Sequence, residues 1–301
     1  MSARPIEDGA PRADRGAIVA LLVVQAVFAT LHVVGKVVLA EIPALAFAGT
    51  RILVAAPLLV VMAWRHDHML PTARDWRALA LLGLLGVFAN QVLYLIGLHF
   101  TTATNAAILM PSIPVFTVAA AALLGAERLT RRRLAGVALA AVGALVLLDP
   151  VRLEIGGQTA LGNLLVAGNC LCYAFFLVLL RPLLARLPWR TVVAGVFVTG
   201  GTATLLVSLP TLASVDWRSV HGATWLAIAY VGVFPTAGTY ALNTWAVRRS
   251  SPSVAAAFTT LQPIFTALLA TFYLHESFGW LQAAGLALIV SGLAVVSRRS
   301  T

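Results

Sequence analysis

Apolar runs of about 20 residues recur along almost the whole of this 301-residue chain, and they restrict it to a membrane-embedded fold. A run of this length spans the hydrocarbon core of a bilayer as an α-helix. Helices are favoured there because each one satisfies its own backbone hydrogen bonds where no water is present. Only 11% of the residues are charged, whereas an average soluble domain carries about 25%. The sequence therefore predicts an all-α membrane protein.

Hydropathy divides the chain into ten predicted spans, separated by polar gaps too short to hold a soluble domain. The spans are residues 17–38, 43–63, 77–98, 103–125, 133–149, 160–180, 191–210, 222–246, 253–274 and 279–297. The polar segment 1–15 before them is expected to be a disordered cytoplasmic N-terminus. Since no gap holds a folded domain, the function must reside in the helix bundle itself.

The arginines indicate how the helices are oriented. Placing successive gaps on alternate sides of the membrane puts seventeen arginines on one side and only Arg152 and Arg218 on the other. Short arginine-rich loops remain in the cytoplasm. This bias holds only for an even number of helices with both termini cytoplasmic, so it supports ten spans. A single lysine against twenty arginines favours a bacterial source, and the expected location is the inner membrane. The formal charge of +10 has the same origin, and no nucleic-acid partner is expected.

The chain repeats itself at an ungapped offset of 149 residues. The pairs that match include Trp76 with Trp225, Pro114 with Pro263, Phe116 with Phe265, Glu127 with Glu276, Gly136 with Gly285, and Gly143 with Gly292. Equivalent positions are five helices apart, and because five is odd the two halves enter the membrane from opposite sides. The sequence predicts two inverted five-helix repeats, residues 16–150 and 151–299. Inverted repeats are typical of alternating access, with the substrate bound between the halves.

Segments of both halves resemble the drug/metabolite transporter superfamily, and specifically its EamA-type ten-helix members. In the first half the resemblance is carried by Tyr94-Leu-Ile-Gly-Leu, Thr102-Ala-Thr-Asn-Ala-Ala107, Pro111 to Pro114, and Glu127. In the second half it is carried by Tyr240-Ala-Leu-Asn-Thr-Trp-Ala-Val, Ser251-Pro-Ser-Val-Ala-Ala256, Pro263 and Glu276. The resemblance implies export of amino acids or related metabolites through a central cavity lined mainly by helices 1–4 and 6–9. Two alternatives stay open: export of drugs, amines or nucleoside-like metabolites, and a scaffold role without transport.

Polar side chains inside the spans are candidate substrate-binding groups, because burying them in a bilayer is unfavourable. The candidates are His32, Lys36, Arg51, Asn90, Gln91, Tyr94, Asn169, Tyr173, Tyr240, Asn243 and Gln262. The alternative for the amides and tyrosines is hydrogen bonding between helices. For Lys36 it is snorkelling to the headgroups, and for Arg51 it is binding to helix-end carbonyls.

Arg51 carries the most specific expectation among these candidates. It is permanently charged and lies about 10 Å into the second span, at 1.5 Å per residue. A guanidinium offers a planar fork that matches a carboxylate. The sequence therefore predicts that Arg51 binds an anionic group of the substrate.

All eleven acidic residues fall in gaps or at span ends. Their absence from the middle of the spans disfavours a buried-carboxylate proton switch, a divalent-cation site and paired-carboxylate catalysis. Transport is then facilitative, or it uses His32 for proton exchange. His275-Glu276 lacks the second histidine of a metalloprotease helix, and Cys170 and Cys172 point to different sides of one helix. We expect no enzyme activity, cofactor or metal, and a monomer whose partners are a small-molecule substrate and the lipid bilayer.

Overall fold

A computed structural model of the protein describes residues 14–67, 69–101, 105–106, 109–127, 130–148, 156–265 and 280–297. These residues form helices connected by short turns, and no strand occurs among them. The helices are α1 (Arg15–Leu39), α2 (Ala44–His66), α3 (Ala73–Phe100), α4 (Ser112–Leu123), α5 (Arg131–Leu148), α6 (Gly157–Leu184), α7 (Trp189–Ser214), α8 (Gly222–Arg249), α9 (Pro252–Phe258) and α10 (Trp280–Ser297). A 3₁₀ turn, Thr259–Leu261, follows α9.

The helices have the length and composition of membrane spans. Five of them, α2, α3, α6, α7 and α8, are long and apolar enough to cross a bilayer, and shorter apolar helices lie within α1, α4 and α10. Many large apolar side chains point outward, among them Leu164 at 69% exposure and Leu226 at 74%. Outward-facing apolar side chains are favourable only where lipid surrounds the helices. The all-α membrane fold predicted from the sequence is confirmed.

Glycine contacts between α5 and α10 show that the two halves are inverted copies. A Cβ on Gly136 would lie 3.0 Å from the carbonyl oxygen of Gly292, and a Cβ on Gly143 would lie 2.8 Å from that of Gly285. The offset of 149 converts one of these contacts into the other. The earlier glycine of α5 meets the later glycine of α10, so the helices run antiparallel. The prediction of two inverted five-helix repeats is confirmed, although its boundary at residues 150 and 151 lies outside the described residues.

The remaining packing obeys the same pseudo-two-fold relation. Helix α2 packs on its counterpart α7, and α4 packs on its counterpart α9. The pairing of α1 with α8 is matched by the pairing of α6 with α3, and that of α3 with α7 by that of α8 with α2. The axis therefore passes between the halves, and α1, α2, α3, α6, α7 and α8 meet around it.

Acidic side chains at helix ends join the first half, residues 14–148, to the second half, residues 156–297. Four such contacts lie at the end of the bundle where the arginines collect. They are Asp14 with Arg249 (2.9 Å), Asp67 with Arg190 (3.4 Å), Asp75 with Arg186 (2.8 Å) and Glu127 with the Ser253 hydroxyl (2.7 Å). These contacts bring the arginine-rich helix ends to one end of the bundle, as expected if successive gaps lie on alternate sides of the membrane. The cytoplasmic location of this end stays a prediction.

Glu41 joins the halves at the opposite end of the bundle. Its carboxylate accepts hydrogen bonds from the Thr224 hydroxyl at 2.7 Å and from the His221 backbone N–H at 2.9 Å. The Nδ1 atom of His221 lies 3.2 Å from the same carboxylate. The hydrogen bond from Thr224, followed by the one from the His221 backbone, lowers the pKa of Glu41 below its ordinary value of 4.5. The ionised form is therefore the one that holds α8 against the α1–α2 turn.

We expect this contact to make part of the stability pH-dependent. A carboxyl group whose folded pKa is lowered stabilises the fold above its unfolded pKa and loses that contribution as pH falls through the folded value. The melting temperature of the wild type should exceed that of Glu41→Gln at pH 7, and the difference should shrink below about pH 4.5. Asp216→Asn is the control, because among the described residues the Asp216 carboxylate accepts only from the backbone N–H of Arg218 in its own turn. A wild-type advantage over Glu41→Gln that is as large at pH 3 as at pH 7 would contradict this account.

Candidate functional site

The middle of α3 and the middle of α8 each contain a π-helical segment, Leu84–Ala89 and Gly232–Gly238 respectively. The offset of 149 carries residues 84–89 onto 233–238, so the two segments are equivalent in the repeat. A π-helical turn accommodates an extra residue, and such turns occur often at functional sites. Their position near the centres of two 28-residue helices places them at mid-depth in the bundle.

Each π-helical segment receives a side chain from the opposite half. The Tyr240 hydroxyl, in the second half, donates to the Gly86 carbonyl of α3 at 2.9 Å. The Arg51 Nε, in the first half, donates to the Thr236 hydroxyl of α8 at 3.0 Å. Thr236 in turn donates its own proton to the Val231 carbonyl at 2.8 Å, which leaves its oxygen free to accept from Arg51. The two halves are therefore connected by polar contacts at mid-depth.

Arg51 is half-buried and has no carboxylate partner among the described residues. Its guanidinium carbon lies 5.7 Å from the centre of the Phe47 ring, and its hydrogen-bond partner Thr236 lies four residues before Tyr240 on α8. Glu41, the acid nearest to it in sequence among those before α2, is engaged with Thr224 instead. The structural alternative considered from the sequence was a bond to helix-end carbonyls, whereas the observed partner is a hydroxyl in the middle of α8. A charge at this depth of the bundle, with no counter-ion among the described residues, is suited to an anionic ligand.

Aromatic rings surround Tyr240 next to this arginine. The Tyr240 ring makes edge contacts with Phe197, at 4.9 Å between ring centres, and with Phe28, at 6.4 Å. Tyr173 accepts a hydrogen bond at 3.3 Å from the amide of Asn243, which lies three residues after Tyr240 on α8. Three of the predicted site residues, Tyr173, Tyr240 and Asn243, thus lie together with Arg51.

The equivalent region of α3 holds Asn90 and Gln91, and Asn169 of α6 contacts it. Asn169 is buried and donates from its side chain to the Asn90 carbonyl. Gln91, the repeat counterpart of Tyr240, is only 8% exposed, and neither its Oε1 nor its Nε2 atom has a hydrogen-bond partner in the described structure. An amide without partners in a bundle interior is energetically costly. Gln91 is therefore the candidate most in need of a ligand or a water molecule.

The remaining candidates are less closely tied to this cluster. Tyr94 is half-buried, while Gln262 follows the 3₁₀ turn after α9 and is also half-buried. The side chains of His32 and Lys36 lie outside the described residues, although both positions belong to α1. Their expected roles therefore stay predictions.

Two structural partners of the site were not predicted from the sequence. Thr236 aligns with Val87 in the repeat, so the repeat gave no reason to consider it. Gly86 contributes only its carbonyl, which no side-chain pattern reveals. Gly83 matches Gly232 at the repeat offset of 149, and this match was the single sequence feature near the start of both π-helical segments. Glycines there permit the close helix contacts that accompany the irregular turns.

Comparisons with known proteins identify the family and the fold of the chain. The model of the EamA-like transporter family matches residues 15–149 and, a second time, residues 160–298. The chain is 31% identical to a probable terminal-alkyne amino-acid exporter of Streptantibioticus cattleyicolor, across 83% of each protein. It is 25% identical to YetK, an uncharacterized transporter of Bacillus subtilis, across 93% of this chain and 86% of that one. A WAT1-related protein of Arabidopsis thaliana is 29% identical across 72% of this chain and 66% of its own length.

A solved crystal structure has the same overall fold. It superposes with a TM-score of 0.76 and covers 93% of this chain and 96% of the solved one, at 22% sequence identity. At this identity the match supports the overall fold alone.

Proposed function

Because the chain belongs to the EamA-like transporter family, whose members carry small metabolites, we propose that it exports amino acids or related carboxylates by alternating access. The observation that carries this proposal is the position of Arg51. A guanidinium between the halves, bonded to a single hydroxyl, retains N–H donors for a ligand. A carboxylate that accepts two of them forms a bidentate charge-assisted pair, which is among the stronger polar contacts available to a protein.

The surrounding residues fit the rest of a small amphipathic substrate. The rings of Phe47, Phe197 and Tyr240 provide apolar walls beside the guanidinium. The Oε1 atom of Gln91, which has no partner in the described structure, is suited to accept from the ammonium group of an amino acid. One relative of similar architecture is described as a probable exporter of an amino acid. These features favour a zwitterionic or anionic substrate over a simple amine.

The inter-half contacts suggest how alternation proceeds. Among the described residues, four carboxylates join the halves at the arginine-rich end, and Glu41 joins them at the other. Rocking of one half against the other breaks the contacts at one end while those at the other persist. The substrate at mid-depth is then exposed to each side in turn, as in other inverted-repeat carriers. We propose that the protein lies in a bacterial inner membrane and that its arginine-rich end faces the cytoplasm.

Counterflow in proteoliposomes tests the proposed function. Vesicles loaded with an unlabelled amino acid should accumulate the same labelled amino acid transiently, and the matching decarboxylated amine should neither exchange nor compete. The expected preference for the acid is at least about tenfold, because a charge-assisted hydrogen bond contributes about 1.5–3 kcal/mol. Liposomes without protein are the control.

Two outcomes would contradict the proposal. Equal exchange of amines and amino acids would assign the protein to amine export. The absence of both counterflow and ligand-induced thermal stabilisation across amino acids, amines and nucleosides would favour the scaffold alternative, because any ligand that binds only the folded state raises its stability.

A further inference from the structure

Two cavities lie along the second half of α8, which runs from the middle of the bundle to its arginine-rich end, near the turn that joins α6 to α7. The first is an apolar groove of about 370 Å³, lined by Trp189, Gly238, Ala241, Leu242 and Trp245. The second is a pocket of about 290 Å³, lined by Arg181, Leu184, Ala185 and Arg248. Residues three or four apart share one face of a helix, so Ala241, Trp245 and Arg248 follow one another along α8. The groove therefore leads toward the arginine pocket.

The pocket carries positive charge that nothing in the described structure neutralises. The neighbouring acids are each occupied by another arginine: Asp75 by Arg186, Asp67 by Arg190 and Asp14 by Arg249. Arg181 and Arg248 form neither a hydrogen bond nor an ion pair with any described residue. Two guanidinium groups with free N–H donors converge on one pocket, and this geometry suits a phosphate group.

The groove and the pocket together have the chemistry of an anionic phospholipid. We infer that this surface binds one phospholipid of the phosphatidylglycerol type, with its phosphodiester between Arg181 and Arg248 and an acyl chain along Ala241, Leu242 and Trp245. Tryptophans are enriched where membrane helices meet the headgroup region, and both Trp189 and Trp245 line the groove. Basic pockets between membrane helices are a general means of holding acidic headgroups. The lining of the groove and pocket shares no residue with the cluster of Arg51, Thr236, Tyr173, Tyr240 and Asn243.

Thermal stability in detergent, measured during titration with dioleoyl phosphatidylglycerol, tests this inference. The wild type should gain several degrees in a saturable manner, and dioleoyl phosphatidylcholine should give no comparable gain because its choline neutralises the phosphate charge. The variant Arg181→Gln/Arg248→Gln should need at least about tenfold more phosphatidylglycerol for the same gain, since each lost charge-assisted pair weakens binding. Ala241→Trp, which fills the groove, should weaken binding as well.

The matched control is Arg65→Gln/Arg77→Gln, which removes two exposed charges from the same end of the bundle without touching either cavity. It should bind phosphatidylglycerol like the wild type. If both double variants lose the response equally, general charge attraction explains it and the site is refuted. If sn-glycerol 3-phosphate alone gives the full gain, the pocket takes a free phosphate ester and the lipid assignment is wrong.

Native mass spectrometry of the wild type provides a test that does not depend on folded variants. In an equimolar mixture of the two lipids, the protein should retain one phosphatidylglycerol molecule in preference to phosphatidylcholine. Equal retention of the two lipids would refute the inference.

Discussion

Gly200→Ala should remove most of the stably folded protein, although it adds a single methyl group. A Cβ on Gly200 would lie 2.1 Å from the Gly83 carbonyl oxygen and 2.5 Å from its carbonyl carbon. Both are backbone atoms of α3, so no side-chain rotation relieves the clash. Overpacking in a core costs about 1–3 kcal/mol where side chains adjust. We expect the upper end of this range or more, because α3 and α7 must separate.

The measurement is the folded fraction by size-exclusion chromatography, together with the melting temperature. Gly222→Ala is the matched control, because a Cβ at that position has nothing within 4 Å. In a helix alanine is favoured over glycine by about 1 kcal/mol, so the control should be unchanged or slightly more stable. A Gly200→Ala protein with the wild-type melting temperature would show that α3 and α7 do not approach this closely.

The sequence was sufficient to predict the architecture because membrane insertion restricts each apolar segment to a helix in one of two directions. A run of apolar residues in lipid becomes a helix, and the pattern of arginines then fixes its direction. The ends of α6 and α7 extend several residues beyond the predicted spans, to Leu184 and Ser214. Those extensions are helical turns outside the apolar run, which hydropathy does not detect.

The site was only partly predictable from the sequence. The sequence singled out the polar residues inside apolar spans, and the structure places Tyr173, Tyr240 and Asn243 together, beside the Thr236 partner of Arg51 on α8. The π-helical segments were not predicted, because an extra residue in one turn leaves the mean hydropathy of a span unchanged. Thr236 was missed because its contact with Arg51 depends on the helix face that this irregular turn presents.

Arg51→Gln should weaken transport of the natural substrate by about 10–100-fold in apparent affinity. The lost interaction is a charge-assisted pair of about 1.5–3 kcal/mol, and each 1.4 kcal/mol corresponds to a factor of ten. Arg51→Lys should be intermediate, because an ammonium keeps the charge but lacks the planar fork. Thermal stability should change little, since Thr236 keeps its bond to Val231. Arg65→Gln, which removes an exposed charge from the other end of the same helix, is the control and should transport like the wild type.

The most direct test measures the preference for a carboxylate in the presence and absence of Arg51. Counterflow of each transported amino acid is measured with a labelled sample while the unlabelled amino acid or its carboxamide is added as a competitor. The carboxamide differs from the amino acid only in the acid group. In the wild type the acid should compete at least about tenfold better than the amide. In Arg51→Gln the two should compete almost equally, because the interaction energy between two groups disappears when either one is removed. If Arg51→Gln keeps the full wild-type preference for the acid, the carboxylate binds elsewhere and Arg51 is a structural tether to Thr236.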